Sequence, residues 1–234
     1  MPKEKINFYY IADNKDKFTC SEITNLLLSE HITTGSKYAL INSQNITEDH
    51  LKILLKDIDF NVRAEVVRSK QLTNDLFKIA VKDKSLTVMK LLVSKYLEKF
   101  DETNLVRLVK FSLNFIDLVI THPNCSEKVL ECAIEKSLTD ISPYTTISNI
   151  ASIVSCKNAT KSFIKTILNK IPNNVLLNML RNYYELSEMF LAEVVETSTV
   201  EHRYFAIKHK NSTFDIEKIL EKDEELLAYM LANL

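Results

Sequence analysis

The chain has 234 residues, 46% of them apolar and 26% charged, a balance that supports a folded core and excludes disorder. Its 30 basic and 31 acidic side chains leave a formal net charge of −1, which supplies no global pull toward nucleic acid or anionic lipid. A single glycine, Gly35, excludes the GxGxxG, GxxxxGK[ST] and GxSxG motifs, and with them Rossmann, P-loop and nucleophile-elbow chemistry.

Met1-Pro2-Lys3-Glu4-Lys5 has no apolar run behind it, so no signal peptide is expected, and no window is apolar enough to span a membrane. Ile6-Asn7-Phe8-Tyr9-Tyr10-Ile11 is β-like and is expected to be a short non-helical cap within residues 1–20. A single helical domain is expected over residues 21–234. Its signature is a recurring junction: Ser43-Gln44-Asn45-Ile46-Thr47, Ser69-Lys70-Gln71-Leu72-Thr73, His122-Pro123-Asn124-Cys125-Ser126, Cys156-Lys157-Asn158-Ala159-Thr160 and His209-Lys210-Asn211-Ser212-Thr213. Each ends in a hydroxyl residue and runs into an amphipathic segment, often with an acid in its first turn, which is how helices begin.

With weaker starts at Ser21, near Thr103 and at Ser187, the caps fall at 21, 47, 73, 103, 126, 160, 187 and 213. Seven residues after the cap, seven of the eight units carry an apolar side chain: Leu28, Leu54, Ala80, Ala133, Ile167, Val194 and Leu220. Lys110 breaks the series, which places the register near Thr103 out by a residue or two. Each unit has room for two short helices, and a lone helix pair cannot bury its apolar face, so about eight stacked pairs are expected.

Val62-Arg63, the junction His122-Pro123-Asn124-Cys125-Ser126 and the following Glu127-Lys128-Val129-Leu130 carry a resemblance. The pattern resembles leucine-rich-repeat-variant (LRV) units of the HEAT-like superfamily over most of residues 21–234. The resemblance implies an all-α, right-handed α-solenoid with second helices lining a concave face, used as a binding platform rather than for one activity.

His122, Cys156 and His209 hold equivalent junction places, but equivalent places in adjacent pairs lie about 10 Å apart, too far to share one zinc ion. No metal, cofactor or catalytic residue is expected, and the acidic run Glu221, Asp223, Glu224, Glu225 reads as a solvated helix start. Tyr9-Tyr10 and Tyr183-Tyr184 are expected to pack at the core or rim. The four cysteines, Cys20, Cys125, Cys132 and Cys156, form no CxxC pair and read as reduced thiols of a cytoplasmic protein. Abundant Ile, Leu, Lys and Asn with scarce Ala and Gly suggest an AT-rich genome, such as that of a phage or an AT-rich bacterium.

Charge supplies one lead. Residues 51–100 carry 11 basic and 6 acidic groups, whereas residues 101–150 carry 4 and 7. Arg63, Arg68, Lys90 and Lys95 are therefore the expected partner-binding residues, with Arg63 and Lys90 projecting from second helices into a groove. The expected function is a non-enzymatic binding module (adaptor, inhibitor or scaffold) for a protein partner. The alternative is a DNA-binding or DNA-repair protein resembling HEAT-like alkylpurine glycosylases.

Overall fold

A computed structural model describes residues 8–139, 142–183 and 185–233. Among them 69% are helical, in seventeen α-helices and two short 3-10 turns, and none forms a strand. The chain divides into two compact units, residues 1–99 and residues 100–234.

The first unit opens with α1 (Phe8–Asn14), so the expected extended segment is helical from Phe8 onward. Ile6 and Asn7 lie outside the described residues. Apolar side chains drive this departure: Ile11 is fully buried, and α1 packs on α3 (Thr34–Ile41). Gly35 permits the approach, because a methyl group there would meet the Phe8 ring at 3.1 Å. α5 (Phe60–Ser69) and α7 (Leu86–Tyr96) continue the layer begun by α1 and α3, each packing on the helix before it in that layer. A parallel series, α2 (Cys20–Leu27), α4 (Glu48–Leu54) and α6 (Asn74–Ala80), packs in the same stepwise way.

The second unit repeats the plan. α8 (Glu102–Phe111) packs on α10 (Glu127–Leu138), and α12 (Lys161–Leu168) packs on α14 (Glu188–Thr197). The other layer runs α9 (Ile116–Ile120), α11 (Pro143–Ser155), α13 (Asn173–Asn182), α15 (Val200–Ile207) and α17 (Glu224–Ala232), each on its predecessor. α16 (Ile216–Leu220) packs on α17 and buries no side chain fully.

With α2, α4 and α6 taken as the first layer of the first unit, α8, α10, α12, α14 and α16 as that of the second, and the other series in each as its second layer, the first-layer caps are Thr19, Thr47, Thr73, Asp101, Ser126, Thr160, Ser187 and Asp215. Three differ by two residues from the expected Ser21, Thr103 and Thr213. Two residues are about 200° of helix rotation, so the choice decides which side chains face inward. With Thr19 as cap, Ile23 and Leu27 are buried and Leu28 is 68% exposed, which corrects its expected core place. With Asp101 as cap, Leu108 stands seven residues on and is fully buried, and the break at Lys110 disappears. Leu54, Ala80, Ala133, Ile167 and Val194 are all buried as their spacing requires.

Candidate partner-binding surface

Where second-layer helices end, the junctions hold successive repeats together by side chains. Asn45, Asn124, Asn158 and Asn211 each donate from the amide to a carbonyl of the preceding repeat: Phe18 (2.9 Å), Phe100 (2.9 Å), Ile120 (3.0 Å) and Leu186 (3.1 Å). Ser43, His122 and His209 accept from the N–H two residues on, at 3.1–3.2 Å. His209 Nδ1 is thus an acceptor, so Nε2 carries the proton and donates to the Tyr183 carbonyl at 2.7 Å. The junction histidines are buried turn-formers. No group of three or more metal-ligating side chains comes together among the described residues.

Ser69-Lys70-Gln71-Leu72-Thr73 lacks the junction asparagine, and α7 replaces it. The Tyr96 hydroxyl accepts from the Leu72 N–H (3.2 Å) and donates to the Lys70 carbonyl (2.8 Å). Lys95 Nζ donates to the Val67 (3.2 Å) and Arg68 (2.5 Å) carbonyls, and Lys99 Nζ to that of Leu72 (2.8 Å). Both ammonium groups also lie within 6 Å of the Tyr96 ring, at 5.9 and 5.4 Å. Part of the positive charge in residues 51–100 therefore stabilises the carbonyl-rich end of α5.

Arg63 is likewise held inward rather than projecting into a groove. Its guanidinium grips Asp83 at 2.6 and 3.0 Å and donates to the Asp57 carbonyl at 2.7 Å. The Arg63 side chain is 16% exposed and that of Asp83 only 4%. Lys37–Asp57 and Arg203–Asp223 repeat the arrangement with the same separation of 20 residues. In the first two cases the acid also accepts a turn N–H two residues on, from Asp59 and Ser85. A second-layer cation in one repeat thus fixes the interhelical turn of the next. Arg68 is exposed and pairs with Glu65 at 2.5 Å, and Lys90 is exposed without a partner among the described residues.

The second unit presents a surface that charge counting passes over. α11 carries no charged side chain in its 13 residues, although Tyr144 (87% exposed), Thr145 and Ser148 face solvent. On α13, Asn174, Asn178 and Asn182 are exposed at four-residue intervals, and the Asn182 amide donates to Asn178 Oδ1 at 2.6 Å. A hydrogen bond between the Ser152 and Tyr183 hydroxyls (3.2 Å) joins the two helices. Between them opens a recess of about 720 Å³ lined by Tyr144, Ile147, Ser148, Asn178, Asn182 and Tyr183. The sequence signal for this surface is the uncharged run of residues 141–156.

Farther along the same layer, aromatic rings and charges are paired off. Arg181 bonds Glu201 (2.9 Å) and lies 4.4 Å from the Phe205 ring centre, and Lys208 lies 4.4 Å from that of Tyr204. The side chain of Tyr184 lies outside the described residues. Tyr9 and Tyr10 are well exposed and make edge contacts with Phe8 and Phe18.

No family model matches the chain, and no curated protein or solved structure matches it. Among the described residues no helix is long and apolar enough to cross a membrane.

Proposed function

We propose that the protein is a non-enzymatic binding module built as a right-handed HEAT-like α-solenoid of about eight helix pairs, which holds a protein partner on its second-layer helices. It acts as an adaptor, inhibitor or scaffold in the cytoplasm, where its four free cysteines remain thiols. The observation that carries this reading is the uncharged exposed surface of α11, with Tyr144 and Ser148, beside the exposed Asn178 and Asn182 of α13. Protein interfaces are depleted of charge at their centres and enriched in tyrosine, and Tyr, Ser and Asn together supply adaptable polar contact at low entropic cost. Ordinary solvated helices carry charges instead. The cationic stretch offers less support for a nucleic-acid partner, since Arg63, Lys95 and Lys99 are engaged by groups of the chain itself.

Affinity capture from the native host, run in parallel with wild type and a Tyr144→Ala/Ser148→Glu variant, tests the reading. A protein retained by the wild type and lost from a folded variant supports it. Equal retention by both, or salt-sensitive binding to duplex DNA as the only interaction found, would overturn it.

A further inference from the structure

We infer that Lys161 and Glu193 form a charge-dependent lock between α12 and α14, and that acylation of the exposed Lys161 amine opens it. Neither residue belongs to the proposed binding surface. Two departures from the repeat meet at this joint. The first helical residue is acidic in α4, α8, α10 and α14 (Glu48, Glu102, Glu127 and Glu188), whereas α12 begins with Lys161, a cation at the positive end of its helix. Six residues after the cap, the residue is at least partly open to water in every first-layer helix except α14. There the place is taken by Glu193, whose side chain is 1% exposed.

Each departure is unfavourable alone, and together they offset one another. Lys161 Nζ lies 3.5 Å from Glu193 Oε2 and 3.1 Å from Oε2 of the exposed Glu196. No group among the described residues donates a well-formed hydrogen bond to either Glu193 oxygen, so the buried carboxylate depends on this one ammonium. Glu196 chiefly, and Glu193 with it, raise the Lys161 ammonium above its ordinary value of 10.5, so titration near neutral pH does not release the pair. Covalent neutralisation does, and the Lys161 side chain is 62% exposed and within reach of a reagent. The acyl donor is an acyl phosphate or an acyl thioester. The ammonium loses one proton to become the attacking amine and a second as the amide forms. A C–N bond is made, the bond from the acyl carbon to oxygen or sulfur breaks, and phosphate or thiol leaves with one proton while solvent takes the other. The neutral amide leaves Glu193 as an uncompensated buried charge. The Ser187 N–H also donates to Ser155 Oγ at 3.0 Å, which ties the start of α14 to the last residue of α11 and sets the lock one helix from the uncharged surface.

The whole protein with Nε-acetyllysine installed at position 161 during translation is compared with the unmodified protein by amide hydrogen exchange of α12 and α14 peptides. Exchange there is expected to be at least about tenfold faster in the acetylated protein and in Lys161→Gln. Lys161→Arg keeps the charge and is expected to leave exchange unchanged, as is Glu196→Gln, which removes only the exposed partner. In a Glu193→Gln background no buried charge remains, and acetylation at 161 is expected to have no effect. Equal exchange in the acetylated and unmodified proteins, or the same acceleration in the Glu193→Gln background, would overturn the lock. If the acetylated protein does not fold, Glu193→Gln is expected to restore folding, and failure of that rescue overturns the lock as well. Incubation of wild type with acetyl phosphate and peptide mass mapping tests the reaction. Acetylated Lys161 is expected, and its absence while other exposed lysines are modified would overturn its assignment as the acylated amine.

Discussion

Arg63 and Lys90 illustrate how two cations from one stretch of sequence come to differ. Asp83 is nearly sealed from water, and Arg63 neutralises it while also donating to the Asp57 carbonyl. Arg63→Glu sets two carboxylates against each other, and a buried charge left without its partner costs about 3–5 kcal/mol. The expected result is a large loss of stability in urea unfolding, against a change within about 0.5 kcal/mol for Lys90→Glu on the exposed side of α7. Equal stability of the two variants would mean that the Arg63–Asp83 pair is immaterial. Cysteine reactivity separates along the same lines. Burial, with a small contribution from the neighbouring Cys156, pushes the Cys125 thiol up to about 12, so it stays protonated at neutral pH. Cys20 is exposed. Timed alkylation of the native protein followed by peptide mass mapping is expected to label Cys20 first and Cys125 last, and early labelling of Cys125 would contradict its burial.

At the scale of the element, the first-layer helices are short and owe their position to caps and to small side chains at close approaches. Ala80 and Ala133 occupy matching places seven residues after Thr73 and Ser126, and both are buried to within 1%. Enlargement of either to Leu adds volume where the neighbouring helix already touches, at a cost of about 1–3 kcal/mol. Thermal unfolding of Ala80→Leu and Ala133→Leu is expected to show lowered melting temperatures, and unchanged midpoints for both would place these residues away from the packed layer. The caps were legible wherever a hydroxyl stands alone before its helix, as Thr47, Thr73, Thr160 and Ser187 do. Near Thr19, Asp101 and Asp215 two good capping residues lie within two positions of each other, and local chemistry does not rank them. Burial of Ile23 and Leu108 does.

At the scale of the molecule, within each of the two compact units, repeat is joined to repeat by bonds that reach back one repeat, between residues 20 to 38 positions apart. Stability in such an array accumulates from nearest-neighbour terms. Carboxylates at helix starts contribute to it in a pH-dependent way. The Thr19 N–H holds the Glu22 carboxyl below its ordinary value of 4.5, the Asn61 N–H does the same for Asp59, and Lys218 does so for Asp215, whose ordinary value is 3.8. A group with a lowered folded value contributes fully above its unfolded value and loses the contribution as pH falls through the folded one. Melting temperature is therefore expected to hold level from neutral pH down to the ordinary carboxylate range, and to fall below it. A protein that grows more stable on acidification through pH 4.5 to 3 would contradict the sign of these shifts.

The sequence by itself determined that the chain is helical, where most helices start and that they recur, because hydroxyl caps and apolar spacing act within a few residues of themselves. It did not determine α1, since a run of aromatic and branched residues suits a strand until α3 offers Gly35 and a place for Ile11. Nor did it determine which charges are spent. The uses of Arg63, Lys95 and Lys99 depend on acceptors about 20 to 30 residues away, set opposite them only once the layers have stacked. The same stacking draws Tyr144 and Ser148 of α11 beside Asn178 and Asn182 of α13, so a candidate surface that charge had not marked exists only in the folded unit.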